Sequence, residues 1–196
     1  MFKRIESYFN ILASLPLKTI VTKGENEESS LEKVFSWATK AILDTHANGN
    51  KVMFIGNGGS AGIASHMAID YTKNGNIRST AFNDGAALTC LGNDLGYDQV
   101  FAKQIEMHAR QGDFLVAISS SGRSANILNA VIKARSMGCN ILTLSGFKSD
   151  NPLRTMGDYN LFVNNHEYGF VEITHLALCH AILDLVMGWT NQKDAA

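Results

Sequence analysis

The sequence predicts an α/β fold: a parallel sheet of five strands with helices on both faces. Three observations predict it. From residue 49 onward, short β-rich apolar runs alternate with segments of helical periodicity, the order of parallel strands joined by right-handed crossovers. The runs at 52–55 and 114–118 are apolar at every position, as in central strands covered on both sides. Turns rich in glycine and serine follow both runs directly, at the strand ends where open α/β sheets bind their ligands.

The elements follow in order. Residues 1–17 carry Phe2, Ile5, Tyr8, Phe9, Ile11, Leu12 and Leu15 at helical spacing, and Pro16 ends the segment. A helix this apolar suits packing on another subunit as well as on its own core. Residues 18–28 are polar and read as a connection. Ser29 and Ser30 open a second helix, which stops at Asn48-Gly49-Asn50. A strand over 51–56 leads into a helix from about 59 to 73. Arg78 to Phe82 is a short strand, and 85–95 and 97–110 are helical pieces broken near Asp94-Leu-Gly96. Asp113 to Ile118 is a third strand, followed by a helix over 123–137 and a fourth strand from Cys139 to Leu144. Pro152 to Met156 is a short turn, Tyr159 to Val163 a fifth strand, and 168–190 a long apolar helix. The whole chain, 1–196, is expected to form one domain. Its N-terminal helical segment (1–48) would serve oligomerisation, and its α/β core would run over 49–190.

Composition narrows the partners. The 196 residues suffice for one substantial core. A net charge of −1 gives no global attraction to nucleic acid or to an anionic membrane. Any phosphate must therefore be held by local donors. Cys90, Cys139 and Cys179 lie far apart in apolar surroundings without Cys-x-x-Cys spacing, and read as small buried hydrophobes in a reducing compartment. The N-terminal residues lack a signal-peptide layout, and no uninterrupted apolar run approaches the ~18 residues of a membrane span. A cytoplasmic location is expected.

Two turns carry the chemistry of an anion site. In Gly56-Asn-Gly-Gly-Ser60, three glycines let the backbone turn sharply and approach a ligand, and Ser60 stands at a helix start as N-cap or phosphate-binding hydroxyl. In Ser119-Ser-Ser-Gly-Arg-Ser124, four hydroxyls meet a run of free N–H groups at a second helix start. The second turn is neither a Gly-Lys-Ser/Thr loop nor a dinucleotide fingerprint. Taken alone, the second turn is equally a polar connection with an N-cap serine, and Arg123 an ordinary solvated side chain. The pairing of the two turns favours phosphate.

His66 and Asp70, at i and i+4, share one helix face as a metal-ligand pair, an acid/base pair, or a surface hydrogen bond. The last helix sets Glu172, His175 and His180 among apolar residues, where titratable groups need partners. Eight residues apart, Glu172 and His180 point within about 80° of each other. A buried histidine there is commonly a satisfied core residue. Two histidines and two carboxylates from two helices, however, make a four-ligand Zn²⁺-type site of His66, Asp70, Glu172 and His180. Asn93-Asp94 at the predicted break is a turn, a sugar-hydroxyl contact or an acid/base pair.

Assembled in this order, the motifs resemble those of the sugar isomerase (SIS) domain family and, within it, the heptose-phosphate isomerases. The likeness covers about residues 30–190. It rests on Gly56-Asn-Gly-Gly-Ser-Ala61 with His66, on Leu88-Thr89 with Asn93-Asp94-Leu-Gly-Tyr97, on Val100-Phe-Ala-Lys-Gln104, on Ile118 to Ser124, and on His175 and His180. The resemblance implies a three-layer α-β-α sandwich with five parallel strands in flavodoxin-like order, and a homotetramer with active sites at subunit contacts. It implies that Asn57, Gly58 and Ser60 contact the sugar phosphate, that Ser119, Ser120, Ser121 and Ser124 hold the phosphate, and that Asn93 and Asp94 contact sugar hydroxyls. His66 and His180 would be metal ligands. Asp70 stands where the family usually has a glutamate, ligand and base. Glu172 stands where it usually has a glutamine, ligand and substrate contact. The implied activity is a zinc-assisted aldose–ketose isomerisation through an enediol, from sedoheptulose 7-phosphate to D-glycero-D-manno-heptose 7-phosphate, a precursor for lipopolysaccharide or capsule. Asp70, Glu172 and His180 would be catalytic. The alternatives are a non-catalytic SIS module that binds a sugar phosphate or a replication-initiator partner, and an isomerase for another sugar phosphate.

Overall fold

Five parallel strands, extended on one edge by two antiparallel ones, form a seven-stranded sheet in the computed structural model, which describes residues 1–25 and 27–190. In chain order the elements are α1 (Phe2–Ser14), β1 (Ile20–Lys23), β2 (Glu27–Ser29), α2 (Leu31–Ala47), β3 (Val52–Gly56), α3 (Gly59–Lys73) and β4 (Ser79–Ala81). They continue with α4 (Gly85–Leu95), α5 (Val100–His108), β5 (Phe114–Ser119), α6 (Ala125–Ser136), β6 (Asn140–Gly146), β7 (Tyr159–Val163) and α7 (Tyr168–Val186). The strand order is β2-β1-β7-β6-β5-β3-β4. Counted alone, the parallel strands stand in the order 2-1-3-4-5, the flavodoxin-like arrangement the resemblance implies.

The two extra strands correct the reading of residues 18–28 as a plain connection. They form an antiparallel hairpin, and β1 pairs antiparallel with β7, Val21 opposite Leu161. Val21 and Thr22 are each 3 % exposed, so the short β-branched run is driven into the sheet by burial against β7. Glu27 and Glu28 then blunt the outer edge.

Alternation along the strands builds the layers. Val52, Phe54, Val116 and Leu142 face α2, α3 and α7, while Met53, Ile55, Leu115 and Ile141 face α5 and α6. Every residue of β3 and β5 is buried, which makes these strands the rigid base of the turns that follow them. Ser30 caps α2, its hydroxyl accepting from the Lys33 amide at 3.3 Å. The break expected within Asp94-Leu-Gly96 falls at Gly96, whose φ of +92° ends α4 after Asn93 and Asp94. By length and composition α7 could cross a membrane, yet it carries Glu172, His175, His180 and Asp184 and buries eight residues in the core. Helix α1, in contrast, has no buried residue, and Phe2 and Phe9 are 77 % and 59 % exposed.

The cysteines divide. Burial pushes the thiols of Cys139 and Cys179 up to about 11 and about 12, as inert core groups. Cys90 departs from the expected buried set: α4 turns it outward, and it is exposed.

Candidate active site

Because β3 and β5 are neighbours in register, with Gly56 opposite Ile118, the two glycine/serine turns leave the sheet side by side. The first needs its glycines. A Cβ on Gly56 would lie 2.5 Å from the Ser60 carbonyl oxygen, and Gly58 has φ +54°. Between the turns lies a cleft of about 230 Å³. It is smaller than the ~300–1,000 Å³ of drug-sized sites, and suits a compact polar group rather than a dinucleotide. The structure brings together in its wall Asn57, Gly58, Ser60, Ser119, Ser120, Ser121, Ser124 and Glu172. Gly59 and Tyr168 complete the lining.

The hydroxyls are not equivalent. Ser119 Oγ accepts from the Gly122 amide at 3.1 Å and lies 3.5 Å from Ser124 Oγ. Ser121 Oγ accepts from the Arg123 amide at 3.3 Å. Ser120 Oγ is buried and has no partner among the described residues, so it offers a hydrogen bond to whatever occupies the cleft. Asn57 is oriented by a reciprocal amide pair with Asn126, both bonds at 2.9 Å, and by the Tyr97 hydroxyl donating to its Oδ1 at 3.1 Å. Arg123 faces away and pairs with Asp150 at 2.7 Å.

Helices α3 and α7 pack side by side below the cleft, and their meeting makes a second feature. His66 Nε2 and His180 Nε2 are 3.1 Å apart, one donating to the other. Asp70 Oδ2 stands 3.4 Å from His66 Nε2 and 3.9 Å from His180 Nδ1. The three ligand atoms lie within 4.8 Å of one another. Two imidazole nitrogens and one carboxylate oxygen fit a zinc-like cation with an open coordination position.

Two sequence expectations change here, and one reading, His175 as a core histidine, holds. Glu172 is outside the three-ligand cluster. Eight residues rise about 12 Å along a helix, so Glu172 is level with the start of α3 and its carboxylate rests over Gly59. Asn93 and Asp94 do not reach the cleft of their own chain. They are exposed in the last turn of α4, and Asn93 Nδ2 donates to Asp94 Oδ1 at 2.8 Å. His175 is a core residue. Fully buried, it donates through Nε2 to the Ser145 carbonyl at 3.1 Å, and burial pushes its pKa down to about 4. It is neutral and supports β6, the neighbour of the strand that carries Ser119.

The sequence pointed to no role for Tyr168, and to Tyr97 only as the end of the Asn93-to-Tyr97 motif. Tyr168 was findable: it precedes Glu172 by four residues in a predicted helix, hence on the same face. Tyr97 reaches Asn57 only through the fold.

The SIS domain model matches residues 17–146. The phosphoheptose isomerase of Aliarcobacter butzleri is 36% identical over 175 residues, covering 86% of this chain and 90% of that protein. That of Campylobacter concisus is 37% identical over 188 residues, covering 87% and 96%. The solved phosphoheptose isomerase of Neisseria gonorrhoeae superposes with a TM-score of 0.81 at 30% identity, over 95% of this chain and 98% of that one. The Francisella tularensis phosphoheptose isomerase gives a TM-score of 0.80 at 28% identity, covering 96% and 98%. With a family model over most of its length and relatives matched nearly end to end, the chain belongs to the SIS domain family.

Proposed function

We propose that this chain is an aldose–ketose isomerase that converts sedoheptulose 7-phosphate to D-glycero-D-manno-heptose 7-phosphate. One observation carries the reading: the serine cleft and the His66–Asp70–His180 cluster are joined by a single helix, α7, with Glu172 at one level and His180 two turns on. A heptose 7-phosphate has its phosphate at one end and its reacting carbons at the other; the serine cleft supports a seat for the phosphate, and the carboxylates and histidines along α3 and α7 support the chemistry at the other end. The similarity to phosphoheptose isomerases supports the same substrate.

Ser119, Ser120, Ser121 and Ser124 hold the phosphate, with Asn57, Gly58 and Ser60 against the sugar. A carboxylate, Asp70 or Glu172, takes the proton from the carbon next to the carbonyl, leaving an enediolate. His180 delivers a proton to the former carbonyl carbon while the hydroxyl proton of the first carbon passes to the neighbouring oxygen, which completes the aldose; the sugar loses one carbon-bound proton and gains one, and the proton held by the carboxylate returns to His180 through solvent. His66, Asp70 and His180 would hold a Zn²⁺ ion, which polarises a carbonyl oxygen when bound. Glu172, at the level of the cleft, contacts substrate.

The exposed apolar side chains of α1 support a homotetramer, and the solvent-facing Asn93 and Asp94 suit an active site shared between subunits. Three free cysteines support a reducing, cytoplasmic setting. The test is turnover of sedoheptulose 7-phosphate by wild type and His180→Ala. Wild-type turnover with loss in the variant is expected; an inactive wild type, or full activity in the variant, overturns the reading.

A further inference from the structure

At the opposite end of the sheet, three strand-entry segments converge. Lys51 precedes β3, Arg78 precedes β4, and His108 to Asp113 precede β5. Together they line a cleft of about 220 Å³, where the strands begin, whereas the serine turns lie where they end. Its floor is rigid. Asp113 is 0 % exposed and accepts from the backbone amides of Lys51 at 2.9 Å and Arg110 at 2.8 Å. The same carboxylate pairs with Lys51 Nζ at 2.6 Å, which neutralises the lysine. Arg78 is anchored by donating to the Gly49 carbonyl.

Two charges remain. Among the described residues, neither the Arg78 nor the Arg110 guanidinium has an ion-pair partner. The cleft thus concentrates two uncompensated cations in a chain whose net charge is −1. Both arginines are exposed, and two like charges gathered in one cleft raise the local potential and attract a counter-ion. Guanidinium forks match the oxygens of phosphate and carboxylate alike. The charge count selects between them: a phosphate monoester carries roughly −1.5 to −2 at pH 7 and balances both arginines, whereas a monocarboxylate leaves one in excess.

We infer that this cleft is a second anion site, which takes the phosphate group of a small metabolite between Arg78 and Arg110. It is independent of the isomerase reading, because neither arginine belongs to the catalytic machinery.

The test is isothermal titration of the full chain with inorganic phosphate at low ionic strength. In a Ser119→Ala/Ser124→Ala protein, whose serine cleft is impaired, one binding event should persist. Adding Arg78→Gln and Arg110→Gln to that protein should weaken it by about tenfold or more, as loss of charge-assisted hydrogen bonds predicts. The arginine variants alone should leave isomerase turnover at the wild-type level. Phosphate binding unchanged by the arginine replacements overturns the proposal. A wild-type crystal soaked in tungstate, a heavy phosphate mimic, keeps the question answerable if the variants misfold. Density between Arg78 and Arg110 supports the site, and density confined to the serine turns overturns it.

Discussion

The carboxylate of Glu172 lies against Gly59: a Cβ built on that glycine would fall 2.3 Å from Glu172 Oε2. The first turn of α3 and the first turns of α7 are thus in contact only because residue 59 has no side chain. Gly59→Ala should displace Glu172 from the cleft. The clashing atoms are the free end of a flexible side chain, and alanine favours a helix over glycine by about 0.5–1 kcal/mol. Thermal melting should show a fold at least as stable, while kcat/KM for the heptose phosphate falls about tenfold or more.

The two carboxylates are separable by kinetics. Replacing the general base should lower kcat by about 10²–10⁴. Asp70→Asn and Glu172→Gln, assayed side by side, should differ accordingly. The variant with the larger fall in kcat identifies the base. Equal wild-type rates in both would remove a carboxylate from the mechanism.

Ser120→Ala removes a buried hydroxyl that has no partner within the described residues. Deleting a group that makes no internal bond should leave stability unchanged or slightly raised. If the hydroxyl serves the phosphate, KM should rise severalfold with the melting temperature intact. A lower melting temperature with unchanged KM would make it a packing residue instead.

His66, Asp70 and His180 should hold one equivalent of a divalent metal in purified protein. Chelation should reduce turnover, and Zn²⁺ should restore it. Elemental analysis of His66→Ala should show that equivalent lost, since two remaining ligands bind a zinc-like ion weakly.

His175 sets a pH dependence of stability. Its folded pKa, about 4, lies below the unfolded value of 6.5, so the unfolded chain binds the extra proton between those limits. The stability linked to this group is complete above 6.5 and is lost progressively as pH falls toward 4. The span corresponds to about 3 kcal/mol at 1.36 kcal/mol per unit. Urea unfolding at pH 7 and pH 4.5 should show the loss, and His175→Gln should flatten this part of the profile. The order of wild-type and variant slopes is the readout.

The sequence by itself determined the helices, the five parallel strands and the serine cleft, because each depends on short-range chemistry. Apolar periods, a capping Ser30 and glycines at sharp turns are written within a few residues of where they act. The hairpin at β1 and β2 was illegible because its partner is β7, with Ile20 opposite Phe162. Nothing near residue 20 announces an open sheet edge so far along the chain. The site divides in the same way. That Ser119, Ser120, Ser121, Ser124 and Glu172 face one cleft follows from strands delivering turns and a helix delivering a face. That Glu172 parts from His66, Asp70 and His180, and that Asn93 and Asp94 face solvent, was decided by how α7 docks along α3 and how α4 turns at Gly96. Spacing along a helix fixes direction around its axis. Only packing fixes which level of that helix meets which level of its neighbour.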